Sequence, residues 1–389
     1  MLKILFVSPY FPYYNKGGGG AVSFNRIKSL SKFAQIDLIF LSNGNESNKY
    51  KNEVKMLVRN FEGINQRNFE VIKNIFFYFP YKSLRESFAF SKNFVEILKK
   101  KTSEKKYDVI WFNHERTFQY SFYIKKGKKL IDLHDVTSER HKKMFFGTKN
   151  LFLKLIHLYE YFRIKNLERK ILKNMDGVIV ISKNEKIKLK KRNKVYEAPF
   201  CLDIETKKGE MKNEEKNVLF IGDMNYYPNK DALFYFVKKI YPIIKKDVKN
   251  VKLLIVGPSI DKKVKKLQNE DIIVKGFIPS IDEVYSNVNV LAVPLRIATG
   301  IRIKILEAMA RGIPVVSTKI GCEGIRGLKN EVNIIIEDDP LRFAKGIERL
   351  LNDKKFAEYI SKNARNLIER YYSTENLKEI VEKIINDKK

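Results

Sequence analysis

The strongest constraint on the fold is an alternation that runs twice along the chain. Near the start, Ile4–Val7 is a short apolar run ended by Ser8-Pro9, and it reads as a buried strand. A loop carrying Gly17-Gly18-Gly19-Gly20 follows. Ala21–Phe33 then sets Val22, Ile27, Leu30 and Phe33 at helical spacing, and Ile36–Leu41 reads as the next strand. Strand, loop, helix and strand make a βαβ unit, which builds parallel sheet with right-handed crossovers. Val109–Phe112, Lys129–Leu133 and Gly177–Ile181 are further buried-strand candidates. Ala198-Pro199 and the charged run Glu205–Asn217 then interrupt the pattern and read as a linker.

A second series starts at once. Val218–Gly222, Val251–Gly257, Ile272–Phe277, Asn289–Pro294 and Val315–Thr318 read as strands. Asn229–Ile240 reads as a helix with Pro228 at its start, and a second helix runs from about Ile301 to Arg311, where Gly312 and Pro314 end it. Asn376–Asn386 is an amphipathic helix. Two αβ series of similar size in 389 residues predict an α/β protein with two doubly wound domains. In such domains ligands sit at the carboxyl ends of the strands.

Composition narrows the chemistry. The formal charge is +31, which attracts polyanions such as nucleic acid, anionic lipid or phosphorylated small molecules, or else is a solvated basic surface. Two distant cysteines, Cys201 and Cys322, exclude a disulfide framework and a cysteine zinc site and fit a reducing compartment. The four histidines form no HExxH or other close pair, so no metal site is expected. The first apolar run breaks at Pro9, too early for a signal peptide, and no other stretch is long and uncharged enough to span a bilayer. These features place the protein in the cytoplasm, soluble or peripheral. The four-glycine run lacks the spaced third glycine of a dinucleotide fingerprint, which disfavours nicotinamide binding. No helix-turn-helix, zinc-finger or RNA-binding signature accompanies the charge, so nucleic acid is not an expected partner.

The richest segment is Ala298–Thr318, ATGIRIKILEAMARGIPVVST. Gly300 permits a tight turn and close approach to a ligand. Arg302 and Lys304 bring two cations to a loop–helix junction, where free N–H groups and the helix dipole also favour an anion. Glu307 follows on a neighbouring helical position and can accept hydrogen bonds from vicinal hydroxyls, as on a ribose. A nucleoside diphosphate needs these groups together. A surface helix with a Lys–Glu pair and a Gly-Ile-Pro stop would read the same way from spacing alone.

The segment resembles the donor-binding motif of family 4 glycosyltransferases (glycosyl transferases group 1), which have the GT-B fold. The resemblance takes in Leu219–Ala232, Leu254–Gly257, Lys275–Phe277 and Ile320–Ile325. It is weaker but collinear through the glycine loop, Leu133-His134-Asp135 and Ala198–Asp203. It implies two Rossmann-like domains facing a central cleft: residues 1–203 for the acceptor, a linker at 204–217, residues 218–370 for the nucleotide sugar, and a C-terminal helix, 371–389, packed back on the first domain. It implies that Glu307 binds the ribose, that Gly276, Phe277 and Ile278 lie against the base, and that Arg302 and Lys304 hold the diphosphate. Gly18 and Gly19 match the loop whose backbone faces diphosphate and acceptor. His134 matches the histidine near the donor sugar and is the expected catalytic group; a satisfied histidine at a strand end is the plain alternative. Asp135 either orients His134 or caps the following helix.

Two departures from the family pattern stand out. Thr299 replaces a glutamate found eight positions before the ribose-binding one. Asp223, Asn225 and Lys230 stand where many members carry an Arg and a Lys-Gly, so Arg302 and Lys304 are expected to take over phosphate neutralisation. The resemblance implies metal-independent transfer with retention, from a UDP- or GDP-sugar used as co-substrate, to a carbohydrate or lipid-linked acceptor of the cell envelope. A sugar-nucleotide epimerase or a non-catalytic GT-B binding protein is the alternative. His141–Lys173 interleaves aromatics with Lys and Arg, as a helix lying on an anionic membrane surface at the inner face of the cell membrane would, or as a core helix with a basic exposed side.

Overall fold

In the computed structural model the described residues are 1–13, 18–44, 46–66, 72–74, 76–77, 81–148, 150–189, 194–199, 201–202, 216–298 and 301–387. The chain divides into two compact units, Met1–Cys201 with Thr374–Lys389, and Leu202–Ser373. Most of the linker read at 204–217 lies outside the described residues; Lys216 and Asn217 already belong to a strand.

Among the described residues the first unit holds one parallel sheet of β1 (Leu2–Ser8), β2 (Ala34–Ser42), β3 (Asn60–Asn65), β4 (Val109–Asn113), β5 (Lys128–Leu133), β6 (Gly177–Val180) and β7 (Val195–Glu197). Their order is β3-β2-β1-β4-β5-β6-β7. The second unit repeats the plan with β8 (Lys216–Ile221), β9 (Val251–Val256), β10 (Ile272–Gly276), β11 (Val290–Val293), β12 (Val315–Ser317) and β13 (Ile335–Ile336), in the order β10-β9-β8-β11-β12-β13. Both are doubly wound α/β sheets, as the sequence predicts. The helices that bear on function are α1 (Gly18–Ser31), α2 (Leu84–Phe88), α3 (Thr137–Gly147), α4 (Leu151–Asn174), α5 (Ile303–Ala310) and α6 (Thr374–Asn386).

The central strands are apolar on both faces because helices cover both faces. Leu5, Val7, Ile39 and Phe112 pack into one core, while Ile4, Phe6, Phe40 and Trp111 pack into the other. Helix α6 adds Leu377, Val381 and Ile384 to the second of these cores. A Cβ on Gly177 of β6 would lie 2.9 Å from the Ile384 side chain, so the glycine allows that close approach. Full burial of each such aliphatic side chain stabilises by about 1.5–3 kcal/mol.

Candidate active site

In the first unit the connections reverse beside β1, with β2 on one flank and β4 on the other. The crevice of a doubly wound sheet opens at that point, at the carboxyl ends of the strands. Asn113 ends β4 and His134 directly follows β5. His134 Nε2 lies 2.9 Å from Asn113 Oδ1, and its Nδ1 lies 3.5 Å from the Tyr10 hydroxyl. Gly19, in the first turn of α1, packs beneath them: a Cβ there would sit 2.3 Å from the Tyr10 hydroxyl and 3.5 Å from His134 Nδ1. Gly18 opens the same helix. The structure therefore brings Gly19 and His134 together.

The network fixes the histidine's protonation. Ser23 Oγ donates to the Gly19 carbonyl and Ser8 Oγ to the Tyr10 carbonyl, each at 2.7 Å. Both hydroxyl protons are thereby committed, so both oxygens accept from Asn113 Nδ2, at 2.8 and 3.2 Å. The Asn113 carbonyl must then face His134, and the imidazole carries its proton on Nε2. Burial lowers the His134 pKa to about 4, with nearby Asp132 opposing and His114 reinforcing the shift. At neutral pH His134 is uncharged, and its Nδ1 lone pair is a hydrogen-bond acceptor aimed toward Gly19 and Tyr10.

Asp135 belongs to a different set. Its carboxylate accepts from Thr137 Oγ1 at 2.6 Å and pairs with Arg140 at 3.0 Å, so it braces the first turn of α3; the group that orients His134 is Asn113. Behind the histidine, His114 Nδ1 lies 2.6 Å from Glu115, and Arg85 pairs with Glu115 at 3.0 Å. Burial works to raise the Glu115 carboxyl, but His114, Arg85 and Arg116 outweigh it and hold the group below the ordinary carboxylate range.

The second unit reverses its order beside β8, between β9 and β11. Lys304, in the first turn of α5, donates to the Ile221 carbonyl at the end of β8 and to Asn229 Oδ1 at 3.3 Å. Arg302 is buried just ahead of α5, and its Nη2 donates to the Glu323 carbonyl at 3.0 Å. Its Nε and Nη1 are buried without a hydrogen-bond partner. Such a group stays charged and leaves two donors uncommitted, a poor arrangement for stability and a good one for an anion. Burial pushes the Lys304 ammonium down to about 8; Arg302 adds to the shift and Glu307 opposes it. Glu307 is buried one turn further along α5.

The glycines carry this edge of the sheet across to β10. Gly222 follows β8, and a Cβ on Gly257 would lie 1.9 Å from the Gly222 carbonyl oxygen. Gly257 (φ +144°) in turn donates its N–H to the Gly276 carbonyl at 2.8 Å. Gly276, at φ +71°, turns the chain into Phe277, which is 51% exposed, and half-buried Ile278. Gly276, Phe277 and Ile278 thus share the carboxyl edge with Arg302, Lys304 and Glu307. Thr299 and Gly300 lie outside the described residues.

Residues 215–353 match the family model described as glycosyl transferases group 1. The chain is 25% identical over 398 residues to an uncharacterized 44.6 kDa protein of the cps region of Klebsiella pneumoniae, covering 97% of this chain and 98% of that one. It is 26% identical over 264 residues to the capsular polysaccharide biosynthesis glycosyltransferase CapM of Staphylococcus aureus, covering 62% and 69%. A crystal structure of a mutant TarM of Staphylococcus aureus, in complex with fondaparinux, α-GlcNAc-glycerol and UDP, matches all of both chains at a TM-score of 0.69 and 16% identity. The chain has the GT-B fold, and its second unit carries the match to glycosyl transferases group 1.

Within this GT-B chain Asp223, Asn225 and Lys230, which depart from the family pattern, are occupied locally. Asp223 accepts from the Asn225 backbone at 2.9 Å, and Lys230 is paired with Asp261. Arg302, by contrast, keeps Nε and Nη1 buried without a hydrogen-bond partner. Sequence reasoning missed Tyr10, Ser23, Asn113 and Glu115. The run Asn113-His114-Glu115, directly after an apolar strand, was the available signal: polar residues clustered where a parallel strand ends.

Proposed function

We propose that this glycosyltransferase moves a sugar from a nucleoside-diphosphate sugar, UDP-linked in the first instance, onto a carbohydrate or lipid-linked acceptor during envelope polysaccharide synthesis. The observation that carries the donor half is the buried Arg302 guanidinium, with two donors uncommitted beside Lys304 and Glu307. Arg302, Lys304 and the amino end of α5 neutralise the diphosphate as it departs, and Glu307 accepts from the ribose hydroxyls. Gly276, Phe277 and Ile278 face the base. Two fixed cations at the leaving group can do what a metal ion would, so transfer needs none; retention at the anomeric carbon is what the family resemblance implies. Neutral His134 accepts a hydrogen bond from a hydroxyl of the transferred sugar through Nδ1, and Gly18 and Gly19 keep the approach open. UDP is favoured over GDP because the TarM complex holds UDP and the cps and capsule relatives make envelope polymers a coherent setting.

For the acceptor half, our reading is a peripheral protein at the cytoplasmic membrane face, and exposed apolar side chains support it. Phe146, Leu151, Phe152, Leu155 and Phe162 of α3 and α4 are all more than half exposed, amid lysines and arginines. Among the described residues no helix is long and apolar enough to cross a membrane.

The test is release of nucleoside diphosphate from a panel of UDP- and GDP-sugars with and without an envelope glycan fraction. Release that requires the acceptor fraction is expected. Epimerised sugar nucleotide without release would refute transfer.

A further inference from the structure

Strand β4 runs out into a strained residue. His114 follows Asn113 at φ +74° and ψ +149°, a backbone region that only glycine enters freely. It is held there from several sides. Its N–H donates to the Asp132 carbonyl at 2.8 Å, and its Nδ1 lies 2.6 Å from Glu115. Its ring meets those of His134 and Tyr10 edge-on, with centres 5.5 and 6.1 Å apart. The 3₁₀ helix Glu115–Tyr123 starts at once, with Glu115 buried and Arg116 half-buried at the carboxyl edge of the sheet. Strain of this kind collects where a site needs a particular side chain in a particular place.

Arg116 fits that description. Among the described residues its guanidinium makes no hydrogen bond and no ion pair, and its Nε is buried without a partner. Burial works hardest against its charge; Arg85 repels it, Glu115 and Tyr10 attract it, and Arg140 repels it. The two carboxylates nearby are taken at close range, Glu115 by Arg85 and Asp135 by Arg140, each at 3.0 Å. Glu115 thus offsets part of the Arg116 charge but leaves its donors unmade. Arginine stays protonated even so, and an oxyanion can accept two parallel hydrogen bonds from one guanidinium.

The position indicates what carries the oxyanion. Arg116 interacts electrostatically with Tyr10, whose hydroxyl lies 3.5 Å from His134 Nδ1, the lone pair assigned to the transferred sugar. The donor diphosphate has cations of its own in Arg302 and Lys304, so a second anion belongs to the other substrate. We propose that the acceptor is an acidic glycan, with a carboxylate or phosphate beside the hydroxyl that is glycosylated, and that Arg116 holds this oxyanion. The acceptor role rests on the proposed transfer activity; the oxyanion site itself does not.

The test uses the full chain with UDP present and ligand-observed NMR on two matched pairs, methyl glucuronoside against methyl glucoside and glycerol phosphate against glycerol. Wild type should bind at least one acidic member at least about tenfold more tightly than its neutral match, the worth of one charge-assisted contact. Preference for the glucuronoside assigns a uronate acceptor; preference for glycerol phosphate assigns a phosphorylated one. Arg116→Gln should lose the preference and Arg116→Lys should keep part of it. Lys355→Gln, which removes the same charge from the second unit, should keep all of it. Arg116→Gln should also melt no lower than wild type, because it removes donors that were never satisfied. A lower midpoint with the preference intact would make Arg116 a structural partner of Glu115 and overturn the site. So would no preference in wild type, or equal loss in Lys355→Gln. Weaker UDP binding by Arg116→Gln would assign the guanidinium to the donor instead. If wild type fails to bind UDP, the transfer reading fails, while the difference between wild type and Arg116→Gln still decides the oxyanion site.

Discussion

At the residue scale the decisive feature is how neighbours fix the state of single side chains. Asn113 has its amide hydrogens held by Ser8 and Ser23, so its carbonyl holds the His134 Nε2 proton. A neutral acceptor is the result, not an acid. Asn113→Asp should place a carboxylate at Nε2, favour the imidazolium and raise the His134 pKa from about 4 by roughly 1–3 units. The acid limb of the kcat profile should move up with it; an unmoved limb would mean that His134 does not touch the reaction. Lys304 gives the opposite limb. Its ammonium is held down to about 8 by burial, so the free site loses a cation as pH rises through that value. Affinity for UDP should weaken above pH 8, with proton uptake on binding, and Lys304→Arg should flatten the dependence. Calorimetry in buffers of different ionisation enthalpy reads both effects.

At the scale of elements, α1 carries the backbone of Gly18 and Gly19 and must be held at a fixed height over the sheet. Arg26 does this. It pairs with buried Asp132 of β5 at 2.7 Å and donates to the carbonyls of Ala198 and Pro199 at 2.8 and 3.4 Å. Arg26→Met leaves Asp132 buried and uncompensated, and should cost about 3–5 kcal/mol. Arg26→Met/Asp132→Leu should recover much of that loss in chemical denaturation, whereas an additive loss would show that the pair is not the source. Elements were unevenly legible in the sequence. Strands buried on both faces announced themselves as apolar runs. β3 (NFEGIN), half exposed at the sheet edge, carries no such run, and the two-residue β13 sits in a run of only three isoleucines, Ile334–Ile336. Helix α5 begins at Ile303 rather than Ile301, because Arg302 is extended and serves as its N-cap.

At the scale of the molecule, two like-built units follow from two like-built series, and that was readable from periodicity alone. The proposed donor groups were legible as a cluster, since Arg302, Lys304 and Glu307 stand within one short segment. The histidine network was not: Tyr10, Gly19, Asn113 and His134 are far apart in sequence and meet only because parallel strands align their carboxyl ends. The proposed membrane contact draws on the charge of +31 and on the exposed side chains of α3 and α4. Binding to anionic vesicles should fall steeply between low and high salt, and Phe146→Ser/Phe152→Ser should weaken it by several-fold while leaving UDP binding intact. Salt-independent binding, or none, would detach the protein from the membrane.

The most direct measurement is calorimetric titration of UDP into the wild-type chain and into Glu307→Ala, with circular dichroism to confirm that both are folded. Wild type is predicted to bind UDP, and Glu307→Ala to bind at least about tenfold more weakly, as expected for losing a buried acceptor of two hydroxyls. Equal affinity in the two proteins, or no binding of UDP or GDP by the wild type, would contradict a nucleoside-diphosphate site on α5.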